Sequence, residues 1–258
     1  MAIFELDKVS LAYEMTSGRR GSRREVLHEL TFAVGEGEIL TICGASGTGK
    51  TSLLRILAGL TRQASGTARF RGADIAGPSD GIALVFQDYS NALLQWRTVA
   101  RNVALGIERR TPAAELRRRV AAALRLVGLD KNADDYPWQL SGGMQQRVQI
   151  ARALALAPSV LLMDEPFAAL DAMTKAALQD ELLRVRLETS ASIVFITHDI
   201  EEAVYLGDRV AVLHGSPSRL AAVFDVPLAQ PRNQIITREQ PAFLALRHQV
   251  HDAIGGHA

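Results

Sequence analysis

A glycine-rich loop, Gly44-Ala45-Ser46-Gly47-Thr48-Gly49-Lys50-Thr51, constrains this chain more than any other stretch. It fits the pattern G-x-x-x-x-G-K-[ST]. Before it lies a short apolar run, Glu38-Ile39-Leu40-Thr41-Ile42-Cys43, suited to a buried strand. After it, Leu53, Leu54, Ile56, Leu57 and Leu60 recur at helical spacing. Gly44, Gly47 and Gly49 permit backbone conformations that turn successive N–H groups inward, making a nest for an anion. A helix starting near Lys50 adds its positive N-terminal end. Lys50 is then placed to reach the β- and γ-phosphates of a nucleoside triphosphate, and Thr51 to offer its hydroxyl to Mg²⁺. Cys43, at the end of the strand, reads as a small packed side chain rather than a reactive thiol.

The pattern around the loop extends into a layered arrangement. Residues 3–13 and 26–34 read as strands separated by the basic stretch 18–24, whose four arginines carry no apolar stripe and read as a solvated loop. Residues 67–71 and 81–86 read as further strands. From about 88 to 157 the pattern turns helical, with Thr111 before Pro112 as a helix start and Gly128 as a stop. Three strand-then-helix alternations follow, at Val160–Met163, Ile193–Thr197 and Arg209–Leu213, which implies a mainly parallel sheet covered by helices. In the tail, Phe243, Leu246, Val250 and Ile254 recur every three to four residues and predict an amphipathic docking helix. His248 and His251 lie in that helix and read as solvent-facing, because two ligands without a third make a poor metal site.

Two more stretches carry chemistry. Val160-Leu161-Leu162-Met163 is an apolar strand ending in Asp164-Glu165, where a carboxylate can face Mg²⁺ through water. About ninety residues after the phosphate loop stands Leu140-Ser141-Gly142-Gly143-Met144-Gln145-Gln146-Arg147. Ser141, Gly142 and Gly143 open a helix whose unpaired N–H groups and dipole form a second phosphate-binding element. Loop, Ser-Gly-Gly stretch and carboxylate pair, in that order, resemble the ATP-binding subunit of an ABC transporter over roughly residues 3–230.

The resemblance implies an α/β fold: a P-loop ATPase core with a mainly parallel sheet, an antiparallel β-subdomain and a helical subdomain inserted at about 88–157. The ATPase domain would span 1–230 and a tail 231–258. It implies ATP and Mg²⁺ as cofactors, with Ala45, Ser46, Thr48 and Ser52 completing the phosphate-binding stretch. It makes Glu165 the general base that polarises the attacking water, and Asp164 and Thr51 the metal-side groups. His198, at the mouth of the strand ending in Thr197, would contact the γ-phosphate. Gln87 would touch Mg²⁺ and the attacking water, and Tyr13 would stack on adenine. Ser141, Gly142 and Gly143 would bind the γ-phosphate held by a second subunit, so that a homodimer sandwiches two ATP molecules. Ala168-Ala169-Leu170-Asp171 resembles the loop joining the two sites, with Ala169 where the family usually has serine.

The partners follow from the same resemblance. Leu93-Leu94-Gln95-Trp96-Arg97-Thr98-Val99 resembles the groove that receives a helix from a polytopic permease, with Gln95 where relatives often have proline. The tail from Val226-Pro227-Leu228 to Pro241-Ala242-Phe243-Leu244 resembles the nitrate/sulfonate/taurine importer branch, which works with a solute-binding protein. A soluble ABC-type ATPase, such as one serving iron–sulfur cluster assembly, is the alternative of similar length. The net charge of +1 gives no electrostatic footprint for nucleic acid. One cysteine fits a reducing compartment, and the acidic N-terminal stretch does not read as a signal peptide. No apolar run reaches the ~18–20 residues that span a bilayer. The expected place is therefore the cytoplasmic face of the membrane, as a peripheral subunit.

Overall fold

The computed structural model of the chain describes residues 1–14, 23–86, 92–168 and 170–255. In chain order the strands are β1 (Ala2–Glu14), β2 (Arg23–Gly35), β3 (Ile39–Cys43), β4 (Ser65–Phe70), β5 (Ala73–Asp74), β6 (Ile82–Val85), β7 (Val160–Asp164), β8 (Ser192–Ile196), β9 (Arg209–Gly215) and β10 (Ser218–Asp225). The helices are α1 (Lys50–Leu57), α2 (Val99–Ala104), α3 (Ala113–Leu126), α4 (Gly142–Ala155), α5 (Ala172–Thr189), α6 (Ile200–Leu206) and α7 (Pro241–Gly255). They fall into two compact units, residues 1–80 with 190–258, and residues 81–189.

In the first unit the strands run β5-β4-β1-β2-β10-β9-β3-β8. The β5, β4, β1 and β2 strands pair antiparallel, as the alternating burial of β2 requires of a sheet with one wet face. At the other end β3 lies parallel between β9 and β8. All five residues of β3 and of β8 are buried, the continuous apolar run expected of a strand covered on both faces. The one polar side chain of β3, Thr41, is accommodated because its hydroxyl donates to the carbonyls of Ala203 (3.1 Å) and Arg209 (3.2 Å). Helix α7 buries Phe243, Leu246, Val250 and Ala253 and packs on α6, β9 and β10. His248 and His251 are exposed on its other side.

The second unit contains the parallel pair β6 and β7 with α2 to α5. Strand β7 is wholly buried, and α4 places Val148, Ile150, Ala151 and Ala153 in the core. Fully burying a side chain of the Val, Ile or Leu class stabilises the fold by about 1.5–3 kcal/mol, so these stripes dominate the unit.

Three local expectations change. Leu60 is not part of α1: the helix ends at Leu57, Gly59 takes φ +69°, and Leu60 is half exposed. Helix α3 starts one residue later than Thr111-Pro112 implies, because Pro112 is itself the extended cap and its carbonyl accepts the first helical bond, from Leu116 N–H at 2.8 Å. The strand β9 is followed by β10 rather than by a helix, and the two form an antiparallel hairpin.

Candidate active site

In the first unit the phosphate loop leaves β3 and enters α1. Gly49, the cap of α1, has φ +80° and ψ 14°. A Cβ there would lie 2.6 Å from Val26 Cγ1 and 2.9 Å from Leu27 Cδ2, so both the backbone angle and the space require glycine. A Cβ at Gly44 would meet the Leu213 carbonyl oxygen at 2.5 Å. Thr48 Oγ1 donates to the Ala45 carbonyl at 2.8 Å, which closes the loop on itself. Ala45, Ser46 and Gly47 are exposed, and so is Thr51 in the first turn of α1.

Lys50 is only 6% exposed. Its Nζ donates to the carbonyl oxygens of Gly44 (2.7 Å) and Ala45 (2.9 Å). The sole cation of the loop is therefore tucked against the loop's own carbonyls. Tyr13, near the end of β1, is 40% exposed, and its hydroxyl lies 3.1 Å from Ser52 Oγ. An aromatic ring is thereby fixed beside the start of α1.

His198 follows β8. Strands β3 and β8 are parallel neighbours with Ile42 opposite Ile196, and Thr197 N–H donates to the Ile42 carbonyl at 3.2 Å. The residues two beyond that pair, Gly44 and His198, thus leave the sheet side by side. His198 is exposed, and the next residue, Asp199, caps α6 by accepting from Glu202 N–H at 3.2 Å.

In the second unit Asp164 ends β7 and is 4% exposed, while Glu165 is partly exposed. Glu165 takes φ +45°, an angle that side-chain-bearing residues seldom adopt, immediately before Pro166. Ser141 caps α4, its hydroxyl accepting from Met144 N–H at 3.4 Å, and stands exposed with Gly142 and Gly143 beside it. The buried Gln146 of α4 donates through Nε2 to the Pro166 carbonyl. The Ser-Gly-Gly helix and the segment after Glu165 are thereby joined by one side chain. Asp171 Oδ1 accepts from Thr174 N–H at 3.0 Å in the first turn of α5, and that bond holds its carboxyl below the usual aspartate range.

Each unit carries a hard oxygen of its own near these turns, the Thr51 hydroxyl in the first and the Asp164 carboxylate in the second. Among the described residues no group of three or more His, Cys, Asp or Glu could hold a metal. Oxygen donors of this kind suit Mg²⁺, which takes one or two protein oxygens and completes its shell with phosphates and water. Gln87 and Ala169 lie outside the described residues, as do residues 18–22 of the basic stretch.

Sequence patterns do not reveal how the Leu93–Thr98 loop is built. Asn102 of α2 is fully buried. Its Oδ1 accepts from Leu94 N–H (2.9 Å), and its Nδ2 donates towards the carbonyls of Leu94 (3.0 Å), Arg97 (3.1 Å) and Thr98 (3.1 Å). Arg152 of α4, lowered from its usual pKa by burial, donates to the Ala92 carbonyl at 2.7 Å. Leu93 is buried under the loop, and Trp96 is held out at 75% exposure. The signal was a single asparagine in a helix of otherwise ordinary composition.

Against known families, residues 27–168 match the model described as ABC transporter. The chain belongs to the ABC transporter family. It is an ABC ATPase, with the mixed α/β architecture of an ATP-binding cassette. The taurine import ATP-binding protein of Chromobacterium violaceum is 41% identical over 97% of this chain and 95% of its own length. An aliphatic sulfonates import ATP-binding protein of Xanthomonas axonopodis pv. citri is 43% identical over 91% of this chain and 95% of its own. An uncharacterized ABC transporter ATP-binding protein of Methanocaldococcus jannaschii is 45% identical over 83% of this chain and 80% of its own. Among solved structures, a dimeric ATP-binding cassette in a post-hydrolysis state with ADP and Pi superposes with a TM-score of 0.77. It is 30% identical and covers 86% of this ABC ATPase and 98% of that chain.

Proposed function

We propose that this ABC ATPase powers the import of a small oxyanion or related solute, of the nitrate, sulfonate or taurine kind. Likeness to the taurine import ATPase over 97% of the chain and to the sulfonate import ATPase over 91% supports the solute class. The observation that carries the ATPase reading is the glycine-built loop with Lys50 buried beneath it and His198 leaving the neighbouring strand.

In this reading the N–H groups of Gly44 to Thr51 cradle the phosphates of ATP, and Lys50 turns from its carbonyl partners to the β- and γ-phosphates. Ser52 and Tyr13 border the nucleoside side, with the Tyr13 ring against adenine. Thr51, Asp164 and Gln87 would hold Mg²⁺, which would supply positive charge against the phosphates. Glu165 orients and deprotonates the attacking water, and His198 holds the γ-phosphate. Ser141, Gly142 and Gly143 present their donors to the γ-phosphate of a second copy of the chain, which stabilises transition-state charge in trans. Two copies then enclose two ATP molecules, and the dimeric cassette of similar fold supports that arrangement. We assign residues 1–230 to the ATPase domain, with 88–157 as its helical subdomain, and 231–258 to the tail.

Among the described residues no helix is long and apolar enough to cross a membrane. We assign the membrane path to separate permease subunits, docked on the Leu93–Thr98 loop through Trp96, and solute capture to a binding protein. The ATPase would then work as a peripheral subunit on the cytoplasmic face. The test is to co-express the chain with candidate permeases, purify the complex, and measure ATP hydrolysis in proteoliposomes with a binding protein. Stimulation by taurine, an alkanesulfonate or nitrate is expected. A chain that never recovers a membrane subunit and instead pairs with a soluble assembly factor refutes the importer reading.

A further inference from the structure

The C-terminal segment reaches the turn that carries His198 through a set of arginines. Arg232, buried, donates from Nη1 to the Tyr205 carbonyl of α6 at 2.6 Å. Arg238 lies with its guanidinium carbon 5.0 Å from the centroid of the fully buried Tyr205 ring, and donates to Glu201 Oε2 at 3.1 Å. Arg247 of α7 donates to the other oxygen of the same carboxylate, Glu201 Oε1, at 3.0 Å. One carboxylate on α6 is therefore held by two guanidiniums from two places in the tail.

The first turn of α6 is tied to the histidine. Thr197 Oγ1 accepts from Asp199 N–H at 3.0 Å and donates to the Glu202 carboxylate. Asp199 accepts in turn from Glu202 N–H. The residues on both sides of His198 are thus bonded to the first turn of α6, and Glu201 belongs to that same turn. A rotation or slide of α6 moves the His198 backbone with it.

We propose that Glu201, Arg238 and Arg247 are positioning residues for hydrolysis: the tail clamps α6 and so fixes His198 against the γ-phosphate. This rests on the assignment of His198 to the γ-phosphate. The exposure of the three side chains separates the role from a structural one. At 43% for Glu201, 28% for Arg238 and 37% for Arg247, they are open enough to water that the ion pairs add little to stability. The geometry of a phosphate-contacting group is far more sensitive, because misplacement by about 1 Å can lower a rate by on the order of 10²-fold.

The experiment uses the full chain with Mg-ATP. In Arg238→Ala/Arg247→Ala, and in the near-isosteric Glu201→Gln, kcat should fall by about tenfold. The KM for ATP should stay within about twofold, since Lys50 and the loop are untouched. Arg238→Lys/Arg247→Lys keeps both charges and should recover most of the rate. Unchanged kcat in a folded Glu201→Gln or double-alanine protein overturns the proposal. So does a rise in KM that accounts for the whole loss, or a lysine pair as slow as the alanine pair. His198→Ala is measured alongside. If that variant hydrolyses at the parental rate, the role of His198 falls and the clamp with it. If it is inactive while the double-alanine protein is fully active, the clamp alone falls.

Discussion

Replacing Asn102 by alanine should weaken this ABC ATPase and impair its docking while leaving its nucleotide loop intact. The carboxamide of Asn102 makes four contacts with the Leu94–Thr98 backbone, but its two N–H groups are shared among three carbonyls. The side chain therefore supplies about three hydrogen bonds, each worth a net ~0.5–1.5 kcal/mol. Its removal also strands Leu94 N–H beside a fully buried position. The loss should total about 2–4 kcal/mol, which lowers the thermal midpoint of a chain this size by roughly 5–15 °C. Trp96, carried on the same loop, should lose its fixed presentation, so recovery of the permease complex should fall while ATP affinity holds. Asn102→Asp sharpens the test. It keeps the acceptor for Leu94 N–H but turns an anion towards three carbonyl oxygens, which raises its carboxyl pKa in the folded state. The aspartate variant should thus be less stable than the alanine variant at neutral pH and regain stability as pH falls through that raised pKa. Calorimetry of both variants across pH is the assay. An alanine variant within about 0.5 kcal/mol of the parent would refute the reasoning, as would an aspartate variant with no excess pH dependence.

Three further outcomes are expected. Lys50→Ala should abolish hydrolysis and weaken nucleotide binding, measured by phosphate release and by fluorescent-nucleotide titration, because it removes the one cation of the loop. Glu165→Gln should lower hydrolysis by roughly 10²–10⁴-fold and leave an ATP-dependent dimer on gel filtration, which Ser141→Arg should dissolve without preventing each monomer from binding ATP. Gly49→Ala should destabilise the loop and reduce ATP binding, because its Cβ would overlap Val26 and Leu27 at a positive φ; equal affinity in the two proteins would show that the loop can rearrange.

The parts of the site that sequence makes legible are those in which a local pattern dictates local geometry. Gly44 to Thr51 can be read because a tight anion nest admits few residue types, and β3, β7 and β8 because a doubly covered strand is predominantly apolar. Ser141 can be read as the start of a helix because its hydroxyl bonds to the amide three residues on. The contacts of Asn102, Gln146 and Arg152 left no such trace. Each of these side chains sits in a helix and bonds to a carbonyl outside its own helix, Gln146 twenty residues away and Arg152 sixty. Strand β10 escaped for a related reason. It is pairing with β9 that makes Ser218–Asp225 a strand.

The left-handed backbone at Glu165 sets two selections against each other at one position. A side-chain-bearing residue held at φ +45° carries on the order of 1 kcal/mol or more of local strain. Glycine would relieve that strain, and asparagine would relieve part of it, yet neither carries a carboxylate. In a library randomised at this codon, a screen for thermal tolerance should enrich glycine and asparagine, whereas a screen for turnover should retain glutamate alone. The proposed base would then sit on a residue that folding disfavours, and drift under relaxed selection for transport should appear first here, as proteins that are sturdier than their ancestor and idle.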